Sequence, residues 1–265
     1  MSQLTLTQLI QQLGGTEKVT GFFLVLARVT PLFIVAPLFS SRMVPVRVRG
    51  IVAVGLAMGM TSVAMHGQHV PGTPMQVAGL LIEELLIGLG FAYAVSVVFA
   101  AIQAAGSLTD AVSGFSFGSF VDPVNGNQGG ALAQVYGLVG VALFIAIGGD
   151  AWMLRGVART FDLVPLTRGP KLGPLAGAAE HTFATIFASA LEVAAPALLA
   201  LLITDVAFGM VSRVVPQLNV FAVGFPVKVG VALLVVSATL PFLAGWMSGQ
   251  LTDSVGSALH ALRIA

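Results

Sequence analysis

One stretch of the chain has the spacing of a nucleophilic serine. Residues Gly114-Phe115-Ser116-Phe117-Gly118 match G-x-S-x-G, the motif in which a serine hydrolase exposes its nucleophile between a strand and a helix. Such a serine needs a histidine base, which helical intramembrane serine proteases carry on a late helix. Residues 182–247 contain no histidine. In a chain with 31 glycines a motif this short is expected by chance, so it does not favour hydrolysis.

The histidines indicate no strong metal site either. His66 and His69 are spaced i, i+3 in a predicted loop and could hold a metal, but they have no carboxylate or thiolate neighbour. His181 and His260 also fall in predicted loops or tails. The chain contains no cysteine, which excludes thiolate ligands and disulfides. The sequence therefore predicts no metal, no cofactor and no enzymatic activity.

The composition indicates a membrane or membrane-associated protein. Of the 265 residues, 57% are apolar and only 9% are charged, whereas soluble domains carry about 25% charged residues. The formal net charge is +1 and there is no basic tail, so the chain is not expected to bind nucleic acid. Residues 1–16 contain no Lys or Arg, and Arg28 interrupts the first apolar block. We therefore expect that block to remain in the mature protein rather than to be cleaved as a signal peptide.

The apolar residues lie in long blocks that predict helices. Because about 20 helical residues cross a bilayer core, only the second of six blocks is too short to span one. The blocks are residues 19–39, 50–65, 77–104, 131–149, 182–210 and 220–247. Polar and apolar residues do not alternate regularly along the chain, which argues against a β-barrel. We expect a single all-α domain over residues 1–265, with about six long helices bent at internal prolines.

Charges outside the blocks give conflicting topology signals. Arg42, Arg47 and Arg49 place residues 40–49 in the cytoplasm by the positive-inside rule. In a bundle of six spans, residues 150–181 would lie on the opposite side, yet they also carry several basic residues. Either a helix is miscounted or the protein does not sit in lipid as a simple six-span bundle.

Six ionisable residues lie inside the apolar blocks: Arg28, Glu83, Glu84, Glu192, Asp205 and Lys228. A charge at the bilayer centre costs at least about 2.5–3.5 kcal/mol, so such residues usually face protein or water. Asp205 and Lys228 flank a turn near Pro216 at similar depth and could form an ion pair. A structural pair or a contact to another subunit is the first interpretation. A proton relay is the second, although Glu192 and Asp205 lie on different helix faces.

A Gly-rich segment, residues 106–130, interrupts the pattern with GSLTDAVSGFSFGSFVDPVNGNQGG. It is too polar for a lipid-facing span, yet Phe115, Phe117 and Phe120 are unusually apolar for a free loop. Irregular backbone at membrane depth persists only where protein or a water-filled cavity covers it. The residues alone leave two interpretations open, a displaceable plug and an ordinary surface loop.

Residues 211–228, VSRVVPQLNVFAVGFPVK, closely resemble the hallmark of the FliR family of flagellar export proteins. In that hallmark an Arg, a Pro-Gln-Leu, an aromatic residue and a Gly-Phe-Pro follow one another between the last two helices. The matching residues here are Arg213, Pro216, Gln217, Leu218, Phe221, Gly224, Phe225 and Pro226. The basic turn 44–49, the Glu84-to-Gly90 stretch and the Phe115–Pro123 loop with Asp122 and Pro123 also resemble the family, in the same order.

The resemblance implies a membrane assembly rather than an enzyme. FliR-like proteins join FliP and FliQ in a closed portal at the flagellar basal body in the bacterial inner membrane, near FlhA- and FlhB-like components, and unfolded export substrates pass through it. Related injectisome subunits exist, but the Gly-Phe-Pro-Val-Lys form favours the flagellar branch.

Carried onto this chain, the resemblance implies roles for individual residues. The luminal plug is expected at about Ala111–Asn125, with Phe115, Phe117 and Phe120 as its seal and Gly114 and Gly118 as flexible points. Gly224 and Pro226 are expected to set the bend of the hallmark turn.

A different class of protein remains as the alternative. A six-helix secondary transporter could use Glu83, Asp205 and Lys228 for coupling. Such folds often carry inverted repeats, and the sequence shows none that can be detected.

Overall fold

The computed structural model describes residues 15–36, 39, 44–66, 68, 70, 73–114, 130–170, 172–217 and 219–264. These residues form seven helices and no strand, which confirms the all-α prediction. The helices are α1 (Thr16–Val35), α2 (Val46–Ala64), α3 (Pro74–Ser113), α4 (Ala131–Ala146), α5 (Gly149–Leu163), α6 (Leu172–Val214) and α7 (Val220–Ile264). Five are long and apolar enough to cross a membrane, or six if α4 and α5 form one broken span, in agreement with the predicted number of about six. Helix α2 is one of the five, so the prediction that the second block is too short to span a bilayer was wrong.

Three helices are much longer than the apolar blocks that predicted them. Helices α3, α6 and α7 contain 40, 43 and 45 residues. At 1.5 Å per residue each is about 60–70 Å long, roughly twice the thickness of a bilayer core. The ends of an apolar block therefore do not coincide with the ends of a helix, because polar residues continue the helix beyond it.

Three predictions based on block ends are corrected by these lengths. His181 lies in α6 and His260 in α7, not in loops or tails. Residues 106–113 belong to α3, so the Gly-rich loop begins at Gly114 rather than at Gly106. Residues 150–181 are not a loop, because they contain most of α5 and the start of α6. A helix was thus missed there, which was one of the two explanations offered for the conflicting charges.

The chain divides into two compact units. The first contains Met1–Ser96, Asp150–Thr182 and Thr252–Ala265, and the second contains Val97–Gly149 and Phe183–Leu251. That residues 1–265 behave as one domain stays a prediction.

In the first unit, α1, the first part of α3 and α5 pack around large buried side chains. Leu24 and Ile87 are fully buried, and Phe91 and Met153 are nearly so. Gly88 allows α1 and α3 to approach closely, because a Cβ there would collide with the backbone carbonyl of Arg28. Small residues at helix crossings permit such contacts. This crossing is what brings Arg28 next to α3.

In the second unit, the end of α3 packs against α4. The rings of Phe99 and Phe144 lie 5.2 Å apart between centroids. Gly106 sits against α4 so tightly that a Cβ would lie 2.6 Å from the Cα of Ala133. The end of α3 therefore lies beside the start of α4, on either side of the Gly-rich loop.

Candidate functional site

A buried ion pair joins α1 to α3. The Nε of Arg28 donates a hydrogen bond to Oε2 of Glu84, and Nη2 donates to Oε1 at 2.8 Å. The two side chains are each only 1% exposed. Both carboxylate oxygens thus accept bonds from one guanidinium, the two-point geometry that gives the strongest charged hydrogen bonds.

The same arginine also binds α5. Its Nη1 donates to the backbone carbonyl of Thr160 at 2.9 Å, and its guanidinium carbon lies 4.3 Å from the ring centre of Phe161. Arg28 therefore fixes three helices at one point. The sequence marked Arg28 and Glu84 separately, but it indicated neither their pairing nor the contacts of Thr160 and Phe161, because these residues are far apart in the chain.

The other four ionisable residues of the apolar blocks are less buried within this chain than Arg28 and Glu84 are. Lys228 forms an ion pair with Asp205, as their similar depth suggested, but the two side chains are 22% and 47% exposed. Glu192 is exposed and accepts a hydrogen bond from Nε1 of Trp246 at 3.1 Å. Glu83 is half-buried. These charges are not buried within this chain, because position in an apolar block does not imply that a neighbouring helix covers the residue.

Most of the predicted plug lies outside the described residues. This applies to Phe115, Phe117, Gly118, Phe120, Asp122 and Pro123, and to Ser116 of the serine motif. The plug was expected to begin at about Ala111, but residues 111–113 belong to α3. Gly114 is the first described residue beyond that helix. It follows the last residue of α3 with a φ of 91°, a left-handed conformation that glycine adopts without strain. Gly114 therefore ends α3, and its role as a flexible point of the plug stays a prediction.

Asp110, which the sequence interpretation did not single out, ties the two ends of this loop together. Its Oδ1 accepts the backbone N–H of Leu132 at 2.9 Å and its Oδ2 accepts that of Ala133 at 2.8 Å. Asp110 is 1% exposed. The first N–H groups of a helix have no partner within the helix, and Gly130, which precedes α4, provides no side-chain cap. A carboxylate from α3 thus caps α4.

The hallmark residues lie at the α6–α7 connection. Helix α6 ends at Val214 and α7 begins at Val220, with Arg213, Pro216 and Gln217 exposed at the turn. The side chain of Phe221 lies outside the described residues.

The bend of the hallmark turn is not where it was expected. Gly224 and Pro226 both lie within α7, so the chain reverses before them. Gly224 is buried, and a Cβ there would lie 3.8 Å from the ring of Phe208, whereas Phe225 is 40% exposed. Asn219 begins the helix instead, because its Oδ1 accepts the N–H of Ala222 at 3.1 Å. An Asn just before an apolar run is an N-cap signal that could have been read from the sequence.

The described residues bring together no group of three His, Cys, Asp or Glu side chains that could hold a metal ion. His66 lies at the end of α2, and His69 is outside the described residues.

The chain is similar to known bacterial export proteins over most of its length. A family profile described as "Bacterial export proteins, family 1" matches residues 19–254. The flagellar biosynthetic protein FliR of Pectobacterium carotovorum subsp. carotovorum is 32% identical over 228 residues, which cover 85% of this chain and 86% of that protein. FliR of Escherichia coli (strain K12) is 30% identical, covering 84% and 85%. The surface presentation of antigens protein SpaR of Shigella flexneri is 27% identical, covering 81% and 84%. The chain therefore belongs to the FliR family of bacterial export proteins.

Proposed function

We propose that this chain is a structural and gating subunit of the flagellar type III protein export apparatus in the bacterial inner membrane. With FliP- and FliQ-like subunits it forms the portal for unfolded flagellar substrates, close to FlhA- and FlhB-like components at the basal body. Similarity to proteins named flagellar biosynthetic protein FliR supports the export role, and these relatives are more similar to the chain than SpaR is.

The observation that carries the assembly proposal is the length of the exposed apolar surface on α6. Large exposed side chains follow one another from Phe183, which is 57% exposed, through Leu199 at 61% to Val214 at 82%. These 32 residues of helix extend about 48 Å. A bilayer core about 30 Å thick covers less than 40 Å of a helix even when the helix is tilted by about 40°. Lipid alone therefore does not cover this surface, and neighbouring subunits are the natural occupants of the remainder.

The gating proposal assigns the seal to the segment between Gly114 and Gly130. Its phenylalanines, Phe115, Phe117 and Phe120, close the lumen against ions until an arriving substrate displaces them. Gly114, whose φ of 91° glycine adopts without strain, stands at the start of this segment. The mechanism needs no covalent chemistry, and no cofactor takes part in it.

Co-purification tests the assembly. The chain is expressed with and without its FliP- and FliQ-like neighbours, and the detergent-solubilised product is weighed by native mass spectrometry. A defined heteromer that forms only when both neighbours are present is the expected result. A stable monomer or homodimer that does not bind the FliP- and FliQ-like neighbours contradicts the proposal and favours the secondary transporter instead.

Ion conductance tests the gate. Deleting residues 116–124 should leave the heteromer intact and raise its conductance to small ions in a planar bilayer. Replacing Phe115, Phe117 and Phe120 by Ala should have a smaller effect in the same direction. Ser116→Ala serves as the matched control inside the segment, because it removes the hydroxyl of the serine motif without removing an apolar side chain. Unchanged conductance after the deletion would overturn the gating role.

A further inference from the structure

We propose that a groove between α1 and α2 binds an anionic phospholipid, whose phosphate contacts Lys18 while one acyl chain lies along the apolar walls. Every residue that lines this groove belongs to the first unit of the chain. The site depends on the location of these helices in a membrane and not on the gating role.

Small residues at the crossing of α1 and α2 create the groove. The buried residues of α2 are Ala53, Ala57 and Ala64, and Gly21 of α1 lies so close to Met65 that a Cβ there would collide with its side chain. Small residues bring helix backbones close together, so the larger side chains beside this contact leave a cleft of about 400 Å³. The cleft is lined by Lys18, Val19, Phe22 and Phe23 of α1 and by Met58 and Thr61 of α2.

The walls of the groove suit a hydrocarbon chain. The rings of Phe22 and Phe23 meet edge to face with their centroids 5.5 Å apart, and Phe23 and Met58 are 51% and 66% exposed. The hydroxyl group of Thr61 already donates its proton to the backbone carbonyl of Ala57 at 2.6 Å. Apart from Lys18, the lining therefore presents aromatic, aliphatic and thioether surface, which gains most from covering by an apolar ligand.

Lys18 lies at the depth of a lipid headgroup. Helix α1 has 20 residues and is therefore about 30 Å long, which equals the thickness of a bilayer core. Because Lys18 is the third residue of α1, it lies near the membrane surface. Phe23 is five residues further along the helix, about 7.5 Å deeper, at the level of the acyl chains. The cation and the apolar walls thus follow one another in the same order as the phosphate and the chain of a phospholipid.

The charge of Lys18 is open to a ligand. In the described part of the chain Lys18 is exposed and forms no ion pair. The adjacent Glu17 does not line the groove, because neighbouring positions on a helix point in different directions. A lysine ammonium is a compact point charge that binds phosphate, so the open end of the groove favours an anionic headgroup.

The size of the groove favours a lipid over a helix of a partner subunit. A helix is about 10–12 Å across and rises 5.4 Å per turn, so each turn takes up roughly 400–600 Å³. The groove therefore has room for no more than one turn, and a helix lying across it would leave most of the walls uncovered. An acyl chain is thin enough to enter along its length, and it brings no polar backbone into the apolar space.

Native mass spectrometry of the detergent-solubilised full chain tests the headgroup contact. The chain is mixed with phosphatidylglycerol and phosphatidylcholine that carry identical acyl chains, and the lipid bound is identified by its mass. Lys18→Gln should lower the amount of bound phosphatidylglycerol about fivefold, whereas Lys18→Arg should keep it. Arg47→Gln is the matched control, because it removes an exposed charge from the start of α2. Equal losses in Lys18→Gln and Arg47→Gln would indicate general surface attraction and overturn the site.

A groove-filling variant tests the acyl chain contact without a change of charge. Thr61→Phe places a ring in the groove and should lower the amount of bound phosphatidylglycerol several-fold. Val54→Phe adds the same ring to α2 at an exposed position that does not line the groove, and it should leave lipid binding unchanged. Undiminished binding in Thr61→Phe overturns the site. If Thr61→Phe does not fold, Lys18→Gln decides the outcome, because it changes an exposed position.

The same measurement on the heteromer with the FliP- and FliQ-like neighbours identifies a different occupant. Phosphatidylglycerol that stays bound in the heteromer and is lost in Lys18→Gln supports the site. If the wild-type heteromer carries no lipid and Thr61→Phe fails to assemble, a partner subunit occupies the groove and the lipid site is overturned. If no heteromer forms at all, the proposed portal fails, while the result on the full chain alone still decides whether the groove binds lipid.

Discussion

Arg28 and Glu84, 56 residues apart in the chain, form a two-point ion pair from which water is almost completely excluded. Nη1 of Arg28 donates to the backbone carbonyl of Thr160, and the face of the guanidinium lies over the ring of Phe161, so one side chain connects α1, α3 and α5. Removing both charges from water is costly, and only such complete pairing offsets the cost. The pair therefore holds these helices in one arrangement, and neither partner is expected to tolerate the loss of the other.

Replacing Glu84 by Gln should destabilise the first unit strongly. The change leaves the guanidinium of Arg28 buried without a counter-charge, which typically lowers the free energy of unfolding by about 3–5 kcal/mol. The measurement is the thermal midpoint of the detergent-solubilised chain. Glu83→Gln is the control, because Glu83 is the adjacent residue and is only half-buried. Equal midpoints for the two variants would refute the structural role of the pair. The double variant Arg28→Met/Glu84→Leu should recover most of the loss, since apolar replacements of buried pairs are often neutral.

The close crossing at Gly88 predicts a contrast between two glycines of α3. Gly88→Ala should destabilise the chain, because its Cβ would collide with the backbone carbonyl of Arg28, which cannot rotate away. Gly79→Ala, in the same helix, meets nothing within 4 Å. It should change the free energy of unfolding by no more than about 1 kcal/mol, and in the stabilising direction. Thermal midpoints of both variants check this, and a Gly88→Ala midpoint at or above the wild-type value would contradict the crossing.

The sequence predicts the elements of this fold better than their contacts. Long apolar blocks indicated helices, because lipid or protein must cover them. Counting residues on either side of the turn at Pro216 placed Asp205 and Lys228 at similar depth. The partner of Arg28 could not be found by counting, because Glu84 meets it only after three helices have packed. Asp110 was missed for the same reason: its partners, Leu132 and Ala133, begin another helix. The helix ends were misjudged because an apolar block shows which part of a helix is covered by lipid or protein. It does not show where the helix ends.

The cap of α7 predicts a modest effect at Asn219. Asn219→Ala removes the side-chain acceptor of the Ala222 N–H, and loss of an N-cap usually costs about 0.5–2 kcal/mol. Asn219→Asp keeps an acceptor and should behave like the wild type. Thermal midpoints of the two variants, measured in detergent on the same chain, make the comparison. If Asn219→Ala is as stable as Asn219→Asp, the start of α7 depends on other contacts.

The ion pair between Lys228 and Asp205 should matter more for assembly than for the stability of the isolated chain. Because Asp205 is 47% exposed, water screens the pair, and exposed pairs contribute at most about 1 kcal/mol. In the heteromer, lipid or a neighbouring subunit would cover these residues, and an unpaired charge then becomes costly. Lys228→Asp should therefore leave the thermal midpoint of the isolated chain almost unchanged but reduce the yield of heteromer in native mass spectrometry. The exchange Lys228→Asp/Asp205→Lys should restore that yield. If Lys228→Asp assembles normally, the pair stays in water in the heteromer. If the exchange Lys228→Asp/Asp205→Lys fails to restore assembly, a partner subunit recognises one of the two charges directly.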